Sequence, residues 1–176
     1  MTSSKPFMKL EPKPFRNNHG PYVLLVKTME QRLTTRPNLN RDTILIQEQA
    51  ALGDCSPAQC VYYYCVLAGN LSHPSVNRAI EALAIADCAL MHAGKNVKLQ
   101  FDALVVKGIC HLSACDEFAL ITFEQAAKLN TRGLFSHSSI NILALIGEAR
   151  RMKEARTKKA GRGDFLAIPA QRAPMM

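Results

Sequence analysis

The chain matches itself at an offset of 40 residues. Ala79 corresponds to Ala119, Ile80 to Leu120, Leu83 to Phe123 and Ala86 to Ala126. Ahead of them, Val66 corresponds to Val106 and Ala68 to Gly108. The break at Ser72 to Ser75 aligns with Leu112 to Cys115. The unit is therefore one helix, a short turn and a second helix, used twice, and a helix from Ile140 can begin a third. A single hairpin of this kind cannot bury both of its apolar stripes. It has to stack on neighbours. The expected fold is all-α, with about seven helices in stacked antiparallel hairpins, as a solenoid fragment or a bundle.

Start and stop residues divide the chain. Residues 1–19 are basic and Pro-rich, without periodicity, and read as an N-terminal extension. A helical domain is expected over 20–156. Pro21 sits near the first turn of a helix reaching Leu33, and Arg36-Pro37-Asn38 ends it. Asp42 caps a short helix stopped by Gly53. Ser56 and Pro57 open a helix through Leu71, and Ser75 caps a long one stopped by Gly94. Further helices are expected over 97–113, from Asp116 to 130, and over 140–156 with a cap at Ser138 or Ser139. Residues 157–176 read as a flexible basic tail.

The helix from Ser75 has two stripes. Ala79, Ala82, Ala86, Ala89 and Ala93 recur at spacings of 3, 4, 3 and 4, which lines small side chains along one face. Val76, Ile80, Leu83 and Leu90 form a larger stripe beside them. The small, large, small order of Ala79, Leu83, Ala86 and of Ala119, Phe123, Ala126 resembles the tetratricopeptide-repeat (TPR) family. So do the helix ending Phe123 to Asn130 and the small residues Ala68 and Gly108 of the preceding helices. The match covers roughly half the chain. It departs from the family pattern in period, in the 11-residue step from Ala68 to Ala79 and from Gly108 to Ala119, in Lys107 at a large apolar position, and in having Met91 and Thr131 where Pro closes a unit. The resemblance implies a concave groove that receives a peptide or helix of a partner protein, and no catalysis.

The formal charge of +8 sits at the ends. Lys5, Lys9, Lys13 and Arg16 against Glu11 give +3 over residues 1–18, and residues 150–176 carry +6, leaving the body at −1. The run Arg150, Arg151, Lys153, Arg156, Lys158, Lys159 and Arg162 is the candidate contact for nucleic-acid phosphates or an acidic partner. Cations in a last helical turn also complement the helix dipole. That accounts for Arg150, Arg151 and Lys153 but not for the continuation through Lys159 and Arg162. No aromatics interleave the run, so base stacking is not supported.

Other chemistry is thin. Cys55, Cys60, Cys65, Cys88, Cys110 and Cys115 form no CxxC pair, and all but Cys55 fall in apolar helical runs. They read as reduced thiols in an intracellular, reducing compartment: the cytoplasm, or an organelle matrix. No signal-peptide pattern precedes them, and no apolar run is long enough for a transmembrane segment. His111 and Cys115 supply only two well-placed metal ligands where a structural zinc needs four. No metal site, cofactor or catalytic residue is assigned, and Asp116 and Glu117 read as a helix start. Tyr62, Tyr63 and Tyr64 point in three directions on a helix, so a partner-binding surface there is expected to expose at least one.

Two functions fit. The first is a non-enzymatic adaptor, chaperone-like protein or structural subunit that binds a partner protein through its hairpins, with homo-oligomerisation left open. The alternative is an RNA- or other nucleic-acid-binding protein that uses its basic termini, such as a subunit of an RNA-rich particle or a viral protein.

Overall fold

Ser56 Oγ accepts a hydrogen bond from the Gln59 N–H at 3.3 Å, and Gln59 Oε1 accepts from the Ser56 N–H at 2.9 Å. This reciprocal capping box is followed by Pro57 at the start of the helix. Asn96 Oδ1 accepts from the Leu99 N–H at 3.2 Å and opens another long helix. Ser56 and Asn96 stand 40 residues apart, so the sequence repeat is a spacing between helix caps.

The computed structural model describes residues 25, 28–33, 41–130 and 141–163. Helix α1 covers 28–33, with Leu25 also helical. It is followed by α2 (Arg41–Gly53), α3 (Pro57–Ser72), α4 (Ala79–Ala93), α5 (Val97–Ser113), α6 (Phe118–Leu129) and α7 (Ile142–Gly163). Among the described residues there is no strand. The fold is the expected all-α stack. Helices adjacent in sequence pack together from α3 to α7, and α5 also touches α3 and α7. Helices α3, α5 and α7 thus form one layer, with α4 and α6 laid against it.

Helix α3 lies at the centre. Every residue from Gln59 to Ser72 is buried except Tyr62. Leu25 and Met29 of α1, Ala51 and Leu52 of α2, and Ala82, Ala86 and Ala89 of α4 share one core cluster with it. Helix α5 contributes Ala103, Val106 and Cys110 to that cluster. A second cluster joins Ala119 and Phe123 of α6 to Ile146 and Ala149 of α7.

Several expected boundaries move. Helix α4 starts at Ala79, because the chain needs residues 73–78 to turn. Arg78 N–H reaches back to the Leu71 carbonyl at 2.9 Å, and Asn77 takes a positive φ of 54°. Ser75 is therefore in the turn, and so is Val76. The expected large stripe also breaks: Ile80 is 86% exposed, while Leu83 and Leu90 pack at the core margin. The alanine face holds, with Ala82, Ala86, Ala89 and Ala93 buried.

Helix α7 is capped by Asn141, whose Oδ1 accepts from the Leu143 and Ala144 N–H groups at 3.1 and 3.3 Å. The expected caps Ser138 and Ser139 lie outside the described residues. The helix also runs on to Gly163, beyond the expected end at Arg156. Part of the assigned flexible tail is therefore helical. Residues 1–19 lie outside the described residues, as do the tail positions from 164 onward. Among the described residues, no helix is long and apolar enough to cross a membrane.

Candidate interaction surfaces and a buried charge network

Helix α2 turns Ile44, Glu48, Ala51 and Leu52 inward, the i, i+4, i+7, i+8 pattern of a core face. Glu48 is a carboxylate in that stripe and is only 1% exposed. It is ion-paired rather than orphaned. Arg32 Nη1 of α1 donates to Glu48 Oε1 at 2.8 Å and to Oε2 at 2.7 Å. Tyr63 Oη of α3 donates to the same Oε2 at 2.8 Å. Arg32 Nη2 lies 3.7 Å from Glu81 Oε1 of α4. Arg78 pairs with the other Glu81 oxygen at 2.6 Å and donates to the Arg32 carbonyl at 2.9 Å.

Burial opposes the Arg32 charge, but the Glu48 carboxylate outweighs it and holds the guanidinium pKa above its ordinary value. Burial, then Glu48, pushes the Tyr63 phenol well up. The network ties four helices together through charge-assisted hydrogen bonds. Sequence reading missed it. The available signal was Glu48 lying four residues from both Ile44 and Leu52, on an otherwise apolar face.

The tyrosine triplet divides. Tyr63 and Tyr64 are buried, so neither is a surface contact. Tyr63 is held by Glu48. Tyr64 packs edge-on to Tyr63, stacks on His92 at 5.4 Å between ring centroids, and accepts from Gln49 Nε2 at 3.4 Å. Burial pushes the Tyr64 pKa up to about 12. Tyr62 alone of the three is partly exposed. The physical reason is that α3 is covered on nearly all sides, so two of three directions lead into the core.

The outer layer carries exposed apolar side chains: Ile80 and Met91 on α4, and Phe118 and Ile121 on α6. Between these helices lies an open groove of ≈ 480 Å³. Leu90, Leu104 and Leu129 supply apolar walls, and Gln100, Gln125 and Lys128 supply polar ones.

The basic run is on α7. Arg150, Arg151, Lys153, Arg156, Lys158 and Lys159 are all exposed. Arg150 Nη2 lies 3.6 Å from Glu124 Oε1 of α6. The Arg162 side chain lies outside the described ones. Packing of α7 on the body uses Ile142, Leu145, Ile146, Ala149 and Met152, and every residue from Lys153 to Gly161 is exposed.

His111 and Cys115 differ in setting. His111 is buried and its Nδ1 lies 3.0 Å from Asp116 Oδ2. Asp116 Oδ1 accepts from the Phe118 N–H at 3.1 Å and starts α6. Cys115 is outside the helix, against expectation, and exposed with φ 52°. The Asp116 N–H bonds the His111 carbonyl at 2.8 Å and the Cys115 N–H bonds the Leu112 carbonyl at 2.9 Å. These are the two bonds of a Schellman motif, with Cys115 at its left-handed position. All six cysteines are free. Burial pushes the Cys65 thiol far up and the Cys110 thiol up to about 12. No cluster of three metal-ligating side chains occurs among the described residues.

Comparison with protein-family models, with curated proteins and with solved structures gives no match.

Proposed function

We propose that this protein is a non-enzymatic binding subunit, an adaptor, chaperone-like protein or structural component, whose helical body docks a helix or peptide of a partner protein. The groove between α4 and α6 carries the reading: an apolar wall of three leucines beside polar groups suits a helix with a few apolar anchors. Met91 of α4 and Ile121 of α6 are further exposed apolar side chains on the two helices that flank the groove. The hairpin stacking supports a divergent tetratricopeptide-like assignment. Because α3 is almost wholly buried, we assign the receiving surface to α4, α5 and α6. The six free thiols, three of them buried, fit a reducing compartment, the cytoplasm or an organelle matrix.

The test is co-purification of the full chain from its native source, wild type against Gln125→Glu/Lys128→Glu. Both side chains line the groove and are exposed, so thermal melts of the variant should match wild type. Loss of the co-purifying protein with an unchanged melt supports the groove. An unchanged set of partners overturns it. Size-exclusion of the purified chain separates self-association from a foreign partner.

A further inference from the structure

Helix α1 lies on the body as a bound helix would. Leu25, Thr28 and Met29 are buried and the Arg32 side chain is nearly so, at i, i+3, i+4 and i+7. That is the spacing with which an amphipathic helix anchors itself in a groove. Leu25 and Met29 join the core cluster that holds Ala51 and Leu52 of α2. Arg32 Nη1 donates to both Glu48 oxygens, and its Nη2 stands 3.7 Å from Glu81. Arg78 donates to the Arg32 carbonyl at 2.9 Å and so holds the end of α1 from the body side. One contact is poor. Asn70 of α3 is buried, and its Nδ2 meets the Met29 sulfur at 3.8 Å. A thioether is a weak acceptor. Asn70 Oδ1 is buried and finds no hydrogen-bond donor among the described residues. Turning the amide end for end puts the oxygen on the sulfur and leaves the nitrogen bare.

We propose that the seat of α1 on α2, α3 and α4 is a helix-binding site, filled in the free chain by α1 and taken over by a partner helix that carries a large apolar residue, a side-chain amide and an arginine where α1 has Leu25, Met29 and Arg32. Glutamine has nearly the length of methionine. Its amide can donate to Asn70 Oδ1 and accept from Asn70 Nδ2, where the sulfur can accept weakly and donate nothing. A buried polar atom left unpaired is costly, so the helix that pairs it is favoured in the seat. The arginine is required because Glu48 is only 1% exposed, and a carboxylate buried that deeply cannot be left bare. Exchange of one arginine-bearing helix for another remakes this ion pair. The pair therefore selects the ligand without favouring α1 over a partner. The α1 of a second copy carries methionine too and would repeat the defect at Asn70. This site is separate from the groove between α4 and α6 and does not rest on it.

The probe is a fluorescein-labelled synthetic peptide with the sequence of residues 22–35, made in the native form, with Met29→Gln, and with Met29→Gln/Arg32→Ala. Its anisotropy is read against the full chain, wild type and Met29→Ala. In the second host α1 has lost an anchor and competes less for its own seat. The Met29→Gln peptide should bind that host roughly tenfold or more tightly than it binds wild type. It should also bind about fivefold more tightly than the native-sequence peptide, the worth of one net hydrogen bond. Loss of its arginine should weaken it roughly tenfold or more. A second measurement needs no loosened host and decides the matter if Met29→Ala does not fold. Met29→Gln in the full chain should slow hydrogen exchange at the amides of 28–33 about fivefold relative to those of α3, and should weaken peptide binding by the same factor. A buried glutamine without a partner would speed that exchange instead. Four results would each overturn the proposal: no peptide binding to either host; a native-sequence peptide as tight as the Met29→Gln form, which would make a second copy the occupant; no effect of removing the arginine; or faster exchange at 28–33 in Met29→Gln.

Discussion

The ring of Phe123 lies on the backbone of Gly108: a Cβ at position 108 would stand 2.6 Å from Phe123 Cδ1 and 2.8 Å from Cζ. The equivalent residues one unit earlier are Ala68 and Leu83. In sequence the larger partner residue goes with the smaller helix residue: Phe123 of α6 with Gly108 of α5, and Leu83 of α4 with Ala68 of α3. Gly108→Ala would gain about 1 kcal/mol of helix propensity. It would also press a methyl group into a fully buried ring, an overpacking of about 1–3 kcal/mol. We expect a net loss of up to about 2 kcal/mol in urea unfolding. Gly108→Ala/Phe123→Leu, which copies the first unit, should be more stable than the sum of its single changes by about 1 kcal/mol. Strict additivity would mean that the ring and the glycine are not coupled.

Glu48 is held by Arg32 and Tyr63, so its removal strands a buried guanidinium. Glu48→Ala should cost about 3–5 kcal/mol. Tyr63→Phe deletes one hydrogen bond to a charged group and should cost about 1.5–3 kcal/mol. Arg32→Met/Glu48→Leu removes both charges and should recover most of the Glu48→Ala loss. Denaturant midpoints of the three variants give the comparison. A Glu48→Ala cost under about 1 kcal/mol would show that Arg32 escapes to solvent.

Cys115 occupies a left-handed position with φ 52°. A side chain there costs roughly 1–2 kcal/mol, against roughly 0.5–1 kcal/mol of extra chain entropy lost by glycine. Cys115→Gly should therefore raise stability by up to about 1 kcal/mol, while the β-branched Cys115→Val should lower it. Mass-spectrometric alkylation of the native protein should label Cys115 first and leave the buried Cys60, Cys65 and Cys110 protected.

Burial tends to raise the Asp116 carboxyl. The Phe118 N–H, His111 and the charge of Arg156 outweigh it and hold the pKa below its ordinary 3.8. A depressed folded value means that the stabilisation is complete above pH 3.8 and is lost as pH falls through the lower folded value. Asp116→Asn should therefore be less stable than wild type at neutral pH. The gap between their thermal midpoints should narrow below about pH 3.8. A gap that stays constant down to pH 2 would place the contribution elsewhere.

The sequence was most informative where backbone chemistry is local. Ser56-Pro57 and the 40-residue spacing located α3, and Gly94 marked the end of α4, because caps act within a turn of the residue that makes them. The start of α4 was misplaced by the capping look of Ser75. Its hydroxyl instead meets His73 Nδ1 at 2.7 Å, inside the turn. The end of α7 was placed too early because residues 157–176 read as a flexible basic tail, whereas the helix runs on to Gly163. Of the surfaces, the basic run was visible as composition, whereas its continuation on a helix was not. The α4–α6 groove and the Arg32–Glu48–Tyr63 network were invisible as wholes. Each joins side chains from three or more helices, and one sequence does not say which helices meet.

Helix α5 places Ala103, Val106 and Cys110 in one core cluster, Ile109 and Leu112 against the second, and Phe101 and Val105 in a third with Ala126. A single rod is therefore a wall of all three. It cannot roll or slide to suit one without disturbing packing in the others, because close-packed interiors transmit displacement rather than absorb it. A guest that wedges α4 away from α6 above α5 works against three cores at once, so mechanical load applied at that groove spreads the length of the stack.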